Sequence, residues 1–411
     1  MEKFRVALSA DFKKPDGSPA YPVFDLTRLV LLTSGSHAGT TELRSLAGVE
    51  RVPAVPMPPD HPTLVTHTSG TTGTPKLAVH TGRTFQARYR PQASLVGLVG
   101  SSEPLAIHVS FVHSRLFTAM PIGLLQGHPL IILADDSPAA VSEIFAQVPP
   151  GIIEAHPNTF LRWEELVDHP AGPLANVKYF SSTFDAIHPR TVNLMLSASK
   201  RRSPQFVQMY GQSEVGPIAG RTYNKKRGMA NGRCVGYTFP GMTSARIVSR
   251  NGTRPSKSSP GDIEVRSDGR IVTYLAEHAR WEKQVDDGWW RMGDVGFRTR
   301  WGCLHLLDRA VDVIPGIDST LAIEDALFAR MTALVEVIII PNADRVPVPV
   351  VCTKDDLPLD LAAWRATVAD LPPMADPVQW RLQDLPHTAT TKIKRLELAR
   401  LLGAQSNGAP A

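Results

Sequence analysis

Nine consecutive residues, Thr68-Ser69-Gly70-Thr71-Thr72-Gly73-Thr74-Pro75-Lys76, gather hydroxyls, glycines and one ammonium directly after the β-branched stretch Leu64–His67. Glycine opens backbone conformations closed to other residues, so successive N–H groups can turn toward one anion. Hydroxyl donors and the lysine charge complete such a cradle. The chemistry this composition suits is phosphate binding. It is not the P-loop of nucleoside triphosphatases, G-x-x-x-x-G-K-[ST]: five positions beyond Gly70 stands Pro75, and Lys76 is followed by Leu77. Further along, Tyr210-Gly211-Gln212-Ser213-Glu214 sets an aromatic face beside a carboxylate that suits a hard cation such as Mg2+. Asp294 stands in a Gly-Asp turn where its oxygens could accept vicinal hydroxyls, and Arg309 offers a rigid fork of donors. His113 and Lys392 complete the candidates, although alone each reads equally well as a structural histidine and an ordinary surface lysine.

These residues must be positioned by a chain of 411 residues, a length that suits two or three domains. With 43% hydrophobic and 20% charged residues the composition is globular, which excludes disorder and coiled coil. Lys+Arg exceeds Asp+Glu by 44 − 39 = 5, and the charges are scattered. That excess suits an anionic small molecule, and no basic stripe calls for nucleic acid. Cys234, Cys303 and Cys352 are odd in number and far apart in sequence, which speaks against a disulfide framework or a cysteine zinc site. The first residues, MEKFRVALSADFKK, carry charge where a signal peptide needs an apolar core, and no apolar run approaches the ~18 residues of a membrane span. The expectation is a soluble cytoplasmic protein with no membrane span.

Short β-branched runs (Leu64–His67, Leu130–Leu133, Val177–Phe180, Phe206–Met209) alternate with helically spaced segments such as Thr159–Val167 and Pro189–Ser199. This predicts an α/β fold of parallel-type sheets, with ligands at the carboxyl ends of strands. From about Val235 the texture becomes short strands with glycine corners, a small β-rich subdomain. After Asp308 it becomes a compact α+β unit with strand Val335–Ile340 and helix Leu359–Asp370. The predicted organisation is an N-terminal domain over residues 1–307 and a small C-terminal domain over 308–411.

The nine-residue run resembles the phosphate loop of the adenylate-forming superfamily: acyl-CoA synthetases, nonribosomal adenylation domains and firefly-type luciferases. Four further segments follow in the family's order. Tyr210–Glu214 is similar to Y-G-x-[ST]-E, and Asp287–Asp294 to D-G-W-x-x-T-G-D. Asp308-Arg309 with Asp312-Val313-Ile314 resembles the hinge G-R-x-D-D-x-I, and Leu385–Arg395 resembles P-x-T-x-x-G-K-[IV]-x-R. The resemblance runs from about Pro62 to Leu402. It implies a large N-terminal AMP-binding domain followed by a mobile C-terminal one. It also implies that Thr68, Ser69, Gly70, Thr71, Thr72, Gly73 and Lys76 hold phosphates. Ser182, Thr183, Tyr210, Gly211, Gln212 and Ser213 would line the adenine and phosphate site. Asp294 and Arg309 would take the ribose, Glu214 the Mg2+, and Lys392 the developing charge at the α-phosphate. His113 would line the acid pocket.

The resemblance implies an ATP-dependent ligase converting a carboxylic acid to acyl-AMP and pyrophosphate, with transfer to a thiol of CoA or a carrier protein as the usual second step. The aspartate that binds an α-ammonium is absent, which argues against ordinary α-amino acids. Two alternatives stay open within the fold: activation of another oxyanion such as nitrite, and amide formation. A third, of another class, is an inactive nucleotide-binding homologue. Several departures bear on these. Only 67 residues precede the phosphate loop, Phe184-Asp185 replace small residues at the adenine site, and Thr391 replaces a glycine before Lys392. Val311 stands at the hinge, and Pro315 stiffens the loop after it, so thioester formation has less support than adenylation. Lys225-Lys226-Arg227 reads as a solvated loop rather than a CoA phosphate site.

Overall fold

The computed structural model describes residues 29–31, 40–50, 53, 55–68, 76–97, 103–110, 113–183, 185–342, 344–388 and 392–407. The strands are β1 (Leu29–Leu31), β2 (Thr40–Glu42), β3 (Pro62–His67), β4 (Leu77–Thr81), β5 (Leu105–His108), β6 (Leu130–Ile132) and β7 (Ile152–Ala155). They continue with β8 (Tyr179–Ser182), β9 (Gln205–Gln212), β10 (Gly216–Asn224), β11 (Cys234–Thr238), β12 (Thr243–Val248), β13 (Gly261–Ser267) and β14 (Thr273–Tyr274). Then come β15 (Val285–Asp286), β16 (Trp289–Arg298), β17 (Leu304–Arg309), β18 (Leu334–Pro341), β19 (Pro347–Thr353) and β20 (Val378–Gln379). The helices used below are α1 (Gly82–Gly97), α2 (Leu116–Leu125), α3 (Pro138–Gln147), α4 (Pro157–Arg162), α5 (Pro189–Ala198), α6 (Thr320–Arg330), α7 (Leu361–Val368) and α8 (Arg395–Asn407).

Strands β5 to β9 form the parallel part predicted from the alternation, in spatial order β9-β8-β7-β5-β6. The fully buried Phe145, Phe160, Trp163, Phe180 and Phe206 fill the layer between this sheet and helices α3 to α5. The expected β-rich subdomain is not a separate sheet. Strand β10 turns back antiparallel on β9. Strands β11, β17, β16, β13 and β12 extend the same sheet, and β15, paired with β16, is its twelfth strand. Glycine makes the β9/β10 turn feasible: a Cβ on Gly211 would lie 2.0 Å from the Gly216 carbonyl oxygen, and Gly216 itself has φ +74°.

Leu64–His67 lies outside the parallel sheet. Strand β3 pairs antiparallel with β4, and β14 completes a separate three-stranded sheet. The nine residues between His67 and Leu77 are too few for a parallel crossover, so the chain can only return antiparallel. The cysteine expectation is also corrected: Cys234 and Cys303 are joined by a disulfide across 69 residues, while Cys352 stays free and buried. Sequence distance concealed the pairing, because β11 and β17 are neighbours in the sheet.

Beyond β17 a further core forms from Ile314, Ile323, Leu327, Phe328, Val337, Ile339 and Trp364, between α6, α7 and the β18–β19 hairpin. On the hairpin's other face Leu398 of α8 packs against Ile338, Ile340 and Val350. Asp308, near the end of β17, accepts hydrogen bonds from the Thr320 and Leu321 N–H groups at the start of α6, so the two parts are tied at their junction. Among the described residues no helix is long and apolar enough to cross a membrane.

Candidate active site

One cavity of about 550 Å³ opens where the ends of the parallel strands, the β9/β10 turn and the β18–α8 unit meet. Thr68 stands at its edge. The Thr68 N–H donates to the Lys76 carbonyl (2.9 Å) and the Lys76 N–H donates to Thr68 Oγ1 (3.1 Å), pinning together the two ends of the phosphate loop. Ser69, Gly70, Thr71, Thr72 and Gly73 lie outside the described residues. Lys76 Nζ reaches Glu214 Oε1 (3.1 Å) and the Tyr274 hydroxyl (3.1 Å), while that hydroxyl donates to the same carboxylate oxygen (2.7 Å). Burial works to raise the Glu214 carboxyl, but the Lys76 charge and the Tyr274 hydroxyl outweigh it and hold the group below its ordinary range. Glu214 is therefore an anion at the foot of the phosphate loop.

Tyr210, Asp294 and Arg309 converge at the strand ends. The Tyr210 hydroxyl donates to Asp294 Oδ2 (2.6 Å), and Arg309 Nε donates to Asp294 Oδ1 at 3.4 Å. Asp294 and Arg309 are register partners on β16 and β17, which is why side chains 15 residues apart meet. Burial lifts the Asp294 carboxyl above its ordinary range against the pull of Arg309. Thr183 lines the cavity with Oγ1 buried and unpartnered among the described residues, a polar orphan that suits the amino or ring nitrogen of a purine. Ser182 is a correction: its side chain is 1% exposed and does not line the cavity, because neighbouring residues on a strand face opposite sides. Phe184 lies outside the described residues. Asp185 opens onto the cavity, and burial, which would raise its carboxyl, is outweighed by Lys392, the Ala186 N–H, Arg395 and Arg309.

Lys392 lines the cavity from the opposite side. Its backbone N–H donates to Thr388 Oγ1 (3.1 Å) and its carbonyl accepts from the Thr388 N–H (2.8 Å), which ties Lys392 to Thr388. Bidentate Arg395–Glu324 pairing (2.7 Å each) fixes the start of α8 that follows. The Lys392 charge acts on His113, His156, Asp185 and Asp294, so the C-terminal lysine and the strand-end residues share one electrostatic site. Lys225 to Arg227 do not line the cavity; Lys225 donates to the Ser199 carbonyl.

His113 is held in one tautomer. The Arg115 N–H donates to Nδ1 (3.1 Å), so the ring proton sits on Nε2, which donates to Ser213 Oγ (3.0 Å). Burial, then the charges of Lys392, His156, Arg88 and Arg115, push its pKa well below 6.5, so the imidazole is neutral. His156, 4% exposed, is also neutral: burial and its neighbours His108 and Lys392 lower it to about 3. Sequence reasoning missed the wall around these rings. Arg88 is buried and donates to the Gly269 carbonyl, Ser114 Oγ and the Ser213 carbonyl, and Arg115 forms a buried bidentate pair with Glu154. The one signal was polar: Arg88 and Gln92 stand four apart on a helix, one turn apart on a face where a core-facing helix carries apolar residues.

Residues 14–275 match the AMP-binding enzyme family. The chain is 48% identical over 366 residues to a 3-amino-2-hydroxy-4-methoxybenzoate diazotase of Streptomyces cremeus, covering 89% of this chain and 66% of that protein. It is 24% identical over 305 residues to a 3-aminoavenalumate diazotase of a Streptomyces species, covering 68% and 52%. The chain thus spans about half to two thirds of the length of these relatives. Among solved structures, an anthranilate CoA ligase in complex with anthranoyl-AMP superposes with a TM-score of 0.77 at 17% identity, covering 93% of this chain and 74% of that one. ATP-bound MatB of Rhodopseudomonas palustris gives 0.73 at 20% identity, covering 89% and 73%. The chain belongs to the AMP-binding enzyme family, within the adenylate-forming superfamily.

Proposed function

We propose that this protein is an ATP-dependent diazotase: it activates nitrite as a mixed anhydride with AMP and delivers the nitrosyl group to an aromatic amine. The observation that carries the reading is the 48% identity to a diazotase across 89% of the chain. The site's chemistry supports it. The end of the cavity beneath His113 is walled by Arg88, Ser114, Arg115, Thr118 and His156, a polar surface that suits a small oxyanion better than an aliphatic tail. A diazonium group needs its terminal nitrogen at the oxidation level of nitrous acid, and nitrite supplies that without an outside oxidant. This replaces carboxylic-acid activation, the main expectation from sequence, with its nitrite alternative.

A nitrite oxygen attacks the α-phosphorus and the bond to pyrophosphate breaks. The amine nitrogen then attacks the nitrosyl nitrogen, the bond to AMP breaks, and the nitrosamine loses water to give the diazonium. The balance is ArNH2 + NO2− + ATP → ArN2+ + AMP + PPi + H2O. Lys76 and the phosphate loop hold the departing pyrophosphate, and Lys392 neutralises charge at the α-phosphate. Asp294 and Arg309 hold the ribose. The ionised Glu214 would hold a Mg2+, an ion that takes only one or two carboxylates and would supply positive charge against that of the phosphates. Residues 308–411 form the unit that moves Lys392 relative to residues 1–307. CoA and a carrier protein have no part in this chemistry.

The test is ATP–pyrophosphate exchange with nitrite, with benzoate, anthranilate and short-chain acids, and with no acid. Nitrite-dependent exchange, with oxygen-18 from labelled nitrite appearing in AMP once an arylamine is added, supports the reading. Exchange with a carboxylic acid and none with nitrite overturns it, and acyl-CoA formed on adding CoA would return the protein to the acid–CoA ligases. No exchange with any acid would mark an inactive homologue.

A further inference from the structure

Gln92 lies one helical turn after Arg88 on α1, about 6 Å along the axis, and lines the cavity at 3% exposure. Its amide orientation is fixed: Nε2 donates to the Arg88 carbonyl at 3.1 Å, an acceptor that the other amide atom could not meet. Gln92 Oε1 is therefore a carbonyl acceptor, buried and without a hydrogen-bond partner among the described residues. The neighbouring donors are committed elsewhere. Three Arg88 nitrogens serve Gly269, Ser114 and Ser213, while the Arg115 guanidinium serves Glu154 and Thr118. An acceptor left unpaired in a buried wall costs about 1–3 kcal/mol, and a ligand donor removes that cost.

We infer that Gln92 Oε1 is the specificity contact for the arylamine co-substrate, accepting a hydrogen bond from a ring hydroxyl beside the amine. An acceptor without a charge selects an O–H or N–H donor and gives a carboxylate or a methyl ether nothing to bind. Discrimination is strong at such a site, because an analogue lacking the donor leaves the buried carbonyl unpaired. This inference rests on the diazotase reading, and the experiment separates the two.

The probes are 3-amino-2-hydroxybenzoate and 3-aminobenzoate, which differ in one hydroxyl. Wild-type protein should favour the hydroxylated amine about 5- to 150-fold in kcat/KM, the ratio that corresponds to 1–3 kcal/mol. Gln92→Leu, and Gln92→Met as a second variant of closer shape, should bring that ratio to within about twofold. Nitrite-dependent pyrophosphate exchange, which needs no amine, should stay at the wild-type level in both, and that readout also reports that the variants fold. A ratio that persists in the variants, or a wild type that does not discriminate, overturns the inference. Without nitrite exchange in the wild type the diazotase reading fails alone: calorimetric binding of the two probes to wild type and Gln92→Leu then decides the Gln92 contact by the same ratio.

Discussion

Lys392 and Asp294 divide the work at the residue level. Lys392 lies outside the large sheet, across the cavity from the strand-end residues proposed to hold the nucleotide, and its charge reaches His113, His156 and Asp294. Lys392→Ala should lower adenylate formation by orders of magnitude and leave ATP affinity within a few-fold, measured by pyrophosphate exchange and calorimetry. Near wild-type exchange in that variant would remove Lys392 from the chemistry. Asp294 acts at the other end. Arg309 and Tyr210 orient its carboxylate, and in the proposed function it would take the ribose hydroxyls through charge-assisted bonds of roughly 1.5–3 kcal/mol. Asp294→Ala should therefore raise the ATP dissociation constant about ten- to a hundredfold, and equal affinities would reduce Asp294 to a turn residue. The sequence singled out both as candidates because each sits in a contiguous motif, and the structure places both on the cavity wall. Gln92 and Arg115 were not singled out, since the fold alone brings each to the cavity wall and neither belongs to a run with recognisable spacing.

At the level of elements, the helix–sheet alternation gave β6, β8, β9, α4 and α5 to within a few residues, because their apolar periodicity matches their burial. Helix α1 escaped notice: Pro91 stands inside it and its outward face mixes charge with glutamine. The register joining β16 to β17, which brings Asp294 to Arg309, is likewise set by pairing rather than by local sequence. A similar long-range contact holds α6 against α5. Asp325 accepts from His188 Nδ1 (2.9 Å) and Arg233 Nε (3.1 Å), and the His188 ring stacks on Phe328 at 4.1 Å. This contact ties the unit that carries Lys392 to the large sheet. Asp325→Ala leaves Arg233 buried at 5% exposure without its carboxylate. Pyrophosphate exchange should fall about tenfold or more while the ATP dissociation constant stays within twofold, as Lys392 spends less time over the site. Unchanged exchange would show that Asp325 only packs α6.

At the scale of the whole molecule, stability depends on pH through a buried carboxyl in the C-terminal unit: Glu336 of β18 is 8% exposed and lines the cavity. Its Oε1 accepts from the Val337 N–H, and the charged or titratable groups acting on it are His188, Glu324 and Arg395. Burial raises its pKa from 4.5 to about 7, against the pull of His188 and Arg395. Because the folded protein binds this proton more tightly than the unfolded chain, the stabilisation is complete below about pH 4.5. It is lost as pH rises to about 7 and changes no further above that. At 1.36 kcal/mol per unit the shift corresponds to about 3 kcal/mol across that window. Asp308, raised by burial to about 6, adds a loss of the same sign at its lower end. Glu336→Gln keeps the shape and carries no charge at any pH, so it should match the wild type in thermal stability at pH 5 and exceed it at pH 8. For a chain of this size, a midpoint gain of a few degrees at pH 8 is the expected reading by calorimetry. An equal midpoint at both pH values would mean that Glu336 is ionised and solvated in the folded protein. A lower midpoint for the variant than for the wild type at pH 8 would reverse the sign and place the folded pKa of Glu336 below 4.5.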